Sequence, residues 1–286
     1  MTDFQEKSNL KIVKEIEVPR FRHFRGRIID TIPLVLSGVD NKGEVVDVQR
    51  APMTPAQLLD YRVNGANAND RDLLRNNYTD VAFAEIVDPN GSGEIKYVIY
   101  SQPLAQGLIN SLNPNSDVRN GSLFVTPEQY NEIPVADSFV VPADVANALR
   151  EDGYSNPNVR RGIWNYAVEG KEDLVDGNLE LVQQRVGGDF SNRMGVFPSR
   201  QSGLRSWYVY RLVGRSYADG DYGLHDGNAQ VVGVAPEAQN APQNLDLSSR
   251  VANGFSREQI GRFLREEVGY TDSKTIELLE KLGTYQ

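Results

Sequence analysis

Asp80, Glu94 and Lys96 come nearest, by type and spacing, to a catalytic motif in this chain. Asp…Glu-x-Lys is the outline of a metal site in which two carboxylates bind Mg²⁺ and a lysine steadies the attacking water, as in many metal-dependent nucleases. An ordinary hairpin with alternating solvent-facing charges carries the same residues, and so short a pattern arises often by chance. A second acidic group is Asp219, Asp221 and Asp226, within ADGDYGLHDGN. Carboxylates two apart beside glycine can wrap a hard cation such as Ca²⁺. No Glu closes that loop at the twelfth position, and Asp and Gly are equally the residues of a solvated hairpin tip.

Other chemistry is sparse. The chain of 286 residues has no Cys and two His. Disulfides and thiolate metal sites are therefore excluded. His23 and His225 stand in no visible triad, and the reading for both is structural. No glycine-rich phosphate loop is present, because Gly91-Ser-Gly93 and Gly187-Gly188 lack the required frame. No cofactor is expected beyond a possible Ca²⁺.

Arg20, Arg22, Arg25 and Arg27, interleaved with Phe21 and Phe24, form the one concentrated basic segment. Such a segment can grip phosphates and stack on bases. It can also pair with acidic patches on a neighbouring subunit. The whole chain carries 30 basic and 39 acidic residues, a net charge of −9, which opposes a general nucleic-acid coat. The interface reading of these arginines follows, with nucleic-acid contact confined to the N-terminal arm.

The elements that must position these residues are mostly short and β-prone. Residues 28–37 and 43–50 read as a hairpin around Asp40–Gly43, although Pro33 marks an edge or a break. Thr54-Pro55 opens a helix, with Thr as cap and Pro where no N–H is needed. Residues 80–88 and 94–101 flank Asn90-Gly91 and read as a β-hairpin. Alternation places Val81, Phe83 and Glu85 on one face and Ala82, Ala84 and Ile86 on the other, with Glu85 at an edge or paired to an arginine. Thr126-Pro127 opens a helical turn, and 141–153 is a helix stopped by Gly153. Residues 178–186 and 204–214 read as strands, the second central. Residues 229–235 follow as its hairpin partner.

Residues 236–250 have linker composition. Beyond them, Ser256 to Gln259 is a capping box, and a second capped helix ends near Gly283. Phe263, Leu264, Ile276 and Leu279 lie on apolar stripes that two short helices cannot bury alone. The expected layout is an arm (1–27), a β-rich body (28–235), a linker (236–250) and a helical hairpin (251–286). The expected fold is mainly β, a β-sandwich or jelly-roll-like body with long loops and short helical insertions, with α+β as the alternative.

The N-terminus is not a signal peptide, and no apolar run is long enough to span a membrane. Arm and tether are devices for reaching neighbouring subunits. The expected function is a structural self-assembling protein, a virion component such as a capsid, connector or tail protein. Its partners would be copies of itself and other structural proteins. Its location would be the virion, or otherwise the cytoplasm as a soluble protein. Two alternatives come from other classes: the nuclease of Asp80, Glu94 and Lys96, and a module that binds a ligand through its Asn/Tyr-rich loops.

Overall fold

Strand β3 (Thr79–Val87) is buried along its whole length, and so is β9 (Gly203–Val209), which pairs with it antiparallel. TDVAFAEIV is almost continuously apolar, the pattern of a strand covered on both faces. The computed structural model of the chain describes residues 21–39, 42, 44–65, 67–100, 103–186, 193–212 and 216–235, all within the unit Met1–Pro236. Its strands join one mixed sheet of 11. The main path runs from β1 (Phe21–Gly26) through β11 (Ala229–Val234), β3 and β9 to β10 (Tyr217–Asp219) and β8 (Gly195–Phe197). On its far side β3 also pairs with β4 (Ile95–Ile99), which pairs with β7 (Phe139–Val141). Short strands β2 (Ala51–Pro52), β5 (Val118–Arg119) and β6 (Ser122–Leu123) attach at the margins.

Helices cover both faces. On one, Leu58 and Leu59 of α2 (Pro55–Asn64), Leu74 of α3 (Ala68–Asn76) and Leu149 of α6 (Ala143–Glu151) pack with Val81, Phe83 and Trp207. Trp164 of α7 (Pro157–Ala167) and Val175 and Val182 of α8 (Glu172–Arg185) complete that layer. On the other face, Ile28, Ile29, Ile32 and Val35 of α1 (Ile28–Ser37) pack with Ala82, Ala84 and Ile86. Ile109 of α4 (Pro103–Asn110) and Tyr130 of α5 (Pro127–Glu132) join them. The architecture is thus α+β. Where a sandwich would place a second sheet, helices fill the space.

The expected hairpin forms over Thr79–Val87 and Ile95–Ile99, with Val87 opposite Ile95, and the two faces divide as alternation requires; residue 101 lies outside the described residues. Thr54 and Thr126 each make a reciprocal capping box, with Gln57 and Gln129 respectively.

Four segments depart from expectation. Residues 28–37 are helix α1, because Ile28, Ile32 and Val35 recur at helical spacing and give one buried stripe. Pro33 lies inside that helix, and Gly38 ends it with φ 70°, a left-handed cap. Residue 45 makes only an isolated bridge, to Val39, so 43–50 is no hairpin partner. Residues 178–185 belong to helix α8, whose buried Leu174, Val175, Asn178 and Val182 follow a period near four. Residues 229–234 are a strand, but its neighbours are β1, β2 and β3 instead of β9.

Candidate functional site

Asp80, the second residue of β3, lies directly opposite Tyr208 of β9 and opposite Val231 of β11. Directly paired residues share a face of a sheet. Asp80 and Tyr208 therefore point to the α1 side, at the end where β3 begins. Tyr78, just before the strand, lies against Tyr208 with ring centroids 4.8 Å apart. The loop between β10 and β11 closes over this corner. Its Tyr222 stacks on Tyr208 at 4.6 Å and an interplanar angle of 21°.

That loop is held at several points. Leu224 is fully buried, its N–H donates to Gly121 O (2.8 Å), and its carbonyl accepts from Ile29 N (3.3 Å). Asp219 Oδ1 accepts from Asp221 N at 2.6 Å, and Asp226 Oδ2 accepts from Gly223 N at 2.8 Å. The Tyr78 hydroxyl donates to Asn228 O. Gly220 packs tightly against the Glu85 carboxyl, which a Cβ there would force to shift.

The result is a pocket of about 210 Å³ lined by Ile28, Tyr78, Asp80, Tyr208, Tyr222, Gly223, Asp226, Asn228 and Ala229. Its floor is dry: Asp80 is 2 % exposed, and Ile28, Tyr208 and Ala229 are buried. Its mouth is wet, with Tyr222 43 % exposed and Asp226 and Asn228 at the surface. Asp80 Oδ2 accepts from Gln230 N at 2.7 Å. Burial nevertheless pushes its carboxyl up to about 7, with the nearby Asp226 adding to the rise. Burial also raises the Tyr208 and Tyr222 phenols, which stay neutral donors at ordinary pH.

The residues singled out from sequence divide sharply. Asp80 belongs to this pocket. Glu94 lies beyond the far end of the same strand, next to the Ile95–Val87 pair, so roughly 25 Å of extended chain separates it from Asp80. Glu94 Oε1 accepts from the Tyr130 hydroxyl at 2.9 Å. Lys96 is buried, where its Nζ donates to the carbonyls of Tyr130 (2.9 Å) and Ile133 (3.0 Å) and sits over the Tyr130 ring. The three do not converge, and Lys96 is tied to a loop.

Asp219 Oδ1 is taken up by the Asp221 N–H, and Asp226 Oδ2 by the Gly223 N–H. Among the described residues no group of three or more His, Asp or Glu is placed to hold a metal ion.

Arg22, Arg25 and Arg27 do not lie on a free arm. Residues 21–26 are strand β1, paired antiparallel with β11 from Phe21–Val234 to Gly26–Ala229. Arg22 donates to Val46 O at 3.0 Å, and Arg27 pairs with Asp30 at 2.7 Å. Arg20 and the stripe residues Phe263, Leu264, Ile276 and Leu279 lie outside the described residues. No described helix is long and apolar enough to cross a membrane.

Glu85 was expected at an edge or against an arginine. It is not at an edge but fully buried between β4 and β9, directly opposite Arg205 of β9; Oε1 accepts from Ser199 N at 2.6 Å, and burial raises its carboxyl to about 7 against the opposing pull of Arg205 and Arg150.

The sequence marks Asn/Tyr-rich loops but not the individual pocket tyrosines, because Tyr78 is remote in sequence from Tyr208 and Tyr222. The available signal was the density of tyrosine around residues 208–222.

No family model matches this chain, and no curated protein matches it. One solved structure, described as "Accommodation of massive sequence variation in Nanoarchaeota by the C-type lectin fold", matches 77% of this chain and 100% of that one, at 16% identity and a TM-score of 0.47. A likeness of that size assigns neither fold nor function.

Proposed function

We propose that this chain is a recognition protein that holds a ligand in the Tyr78–Tyr208–Tyr222 pocket. The observation carrying this reading is a buried carboxyl, Asp80, sharing an open cavity with Tyr208 and with the two tyrosines, Tyr78 and Tyr222, that pack on it. Apolar walls with a few placed polar groups are the usual make-up of a ligand site. The lining holds acids and phenols but no Ser, Thr, His or Lys, so binding suits it better than group transfer. The cavity is smaller than the sites that take drug-sized molecules. It suits one head group or one side chain.

Self-assembly as a virion component now rests on residues 251–286, outside those described, since the described part of the expected arm is sheet. The recognition reading is tested by an NMR fragment screen on protein with labelled tyrosine rings. Hits should shift Tyr78, Tyr208 and Tyr222 together. A screen whose hits never touch these rings would remove the proposal.

A further inference from the structure

We infer that the occupant of this pocket is a small organic cation, an alkylammonium or guanidinium group, seated between the tyrosine faces and the carboxylates of Asp80 and Asp226. The inference rests on the pocket being a ligand site and specifies what it takes.

Charge decides against an anion. The lining carries two carboxylates and no Lys, Arg or His. Arg205 is nearby, but its guanidinium is occupied by Ser122 Oγ (2.8 Å) and by the carbonyls of Gly220, Asp221 and Asn120. Arg27, at the start of α1, is engaged by Asp30. Nothing in the lining neutralises Asp80 and Asp226, and a bound cation would. The Gly223 N–H, a donor an anion could use, already serves Asp226.

The rings point the same way. An aromatic face is electronegative, and a cation within about 6 Å of a ring centroid is attracted to it. Tyr78 and Tyr222 both contact Tyr208, so the three rings form one wall beside the acids. A carboxyl whose proton is held up to about 7 by burial gains most from a cation, because the incoming charge replaces the proton.

The test uses the full chain with tyrosine-ring NMR and two matched pairs of probes. Butylguanidinium is titrated against butylurea, its neutral isostere. A blocked Gly-Arg-Gly peptide is titrated against the same peptide with citrulline in place of Arg. Each cation should bind at least about tenfold more tightly than its neutral partner, the scale of one charged contact at a partly desolvated site. Asp80→Asn and Asp226→Asn should each shrink that ratio. Asp226 is exposed, so its variant keeps the test open if Asp80→Asn fails to fold. Binding of the peptide alone would identify a polypeptide side chain as the source of the cation, binding of butylguanidinium alone a small molecule, and either supports the inference. Equal affinity for cation and neutral isostere would overturn it while leaving the pocket as a ligand site. Failure of all four probes to move the three tyrosines would overturn both.

Discussion

Tyr222 reaches back from the β10–β11 loop to lie almost parallel on Tyr208 of β9, with ring centroids 4.6 Å apart. One ring belongs to the sheet and the other to the loop, so this contact couples the pocket's mouth to its wall. Tyr222→Ala should cost about 0.5–1.5 kcal/mol beyond the loss of buried area, as aromatic pairs do. Leu224 and its two backbone hydrogen bonds should keep the loop seated. Urea unfolding measures the cost. Hydrogen exchange at Leu224 checks the seating, and rapid exchange there would show that the ring pair, not Leu224, holds the loop.

Stability should fall as pH rises from about 4 to about 7. Asp80 and Glu85 are raised from 3.8 and 4.5 to about 7, each chiefly by burial. Across that window the unfolded chain has lost both protons while the folded chain keeps them. The folded state binds more protons, so ΔG of unfolding declines with pH and levels off above about 7. Each group contributes a slope of at most about 1.4 kcal/mol per pH unit. Asp80→Asn and Glu85→Gln should each flatten the profile. Denaturant midpoints at several pH values measure it, and a profile unchanged in Glu85→Gln would assign the slope elsewhere.

Gly220→Ala should destabilise the protein by about 1–3 kcal/mol, the range for overpacking. The added methyl would enter the space of the Glu85 carboxyl. Glu85→Ala should therefore relieve part of the cost. A double-mutant cycle should give a coupling of about 0.5 kcal/mol or more, and additive effects would show that the loop moves aside instead.

Lys96→Met should keep most of the packing but leave the carbonyls of Tyr130 and Ile133 without this donor. A loss of about 1–3 kcal/mol follows, chiefly from the Ile133 carbonyl, since Tyr130 O keeps the N–H of Ile133 at 3.3 Å. Thermal unfolding reads it. A neutral outcome would mean that the 130–133 backbone finds other donors.

What the sequence revealed about the fold follows from where each signal was local. The β3–β4 hairpin, the Thr54 and Thr126 caps and the 143–151 helix depend on residues within a few positions of one another, and all were readable. Helices α1 and α8 were not. IIDTIPLVLS carries both periods, and its buried Ile28, Ile32 and Val35 become decisive only once a sheet face exists to cover. The two-sided helical cover was hidden for the same reason. Of the pocket, Asp80 was singled out but given the wrong company. Glu94 is close to it in sequence pattern and far from it in space, whereas Tyr208, Asp226 and Ala229 are remote in sequence and line the same cavity.

The pairing of Asp80 with Val231 joins residues made far apart in time. Strand β3 is a central strand of the sheet, yet one of its neighbours, β11, is among the last described segments to be synthesised, and β1 at the beginning must wait for the same strand. A nascent chain can pair β3 with β4 and β9 early, but it holds β1 and the Asp80 end of β3 without their β11 partner until β11 emerges from the ribosome. Such long-range closure slows folding and exposes intermediates to aggregation. Chains stopped before Ala229 should accumulate as insoluble or chaperone-bound species.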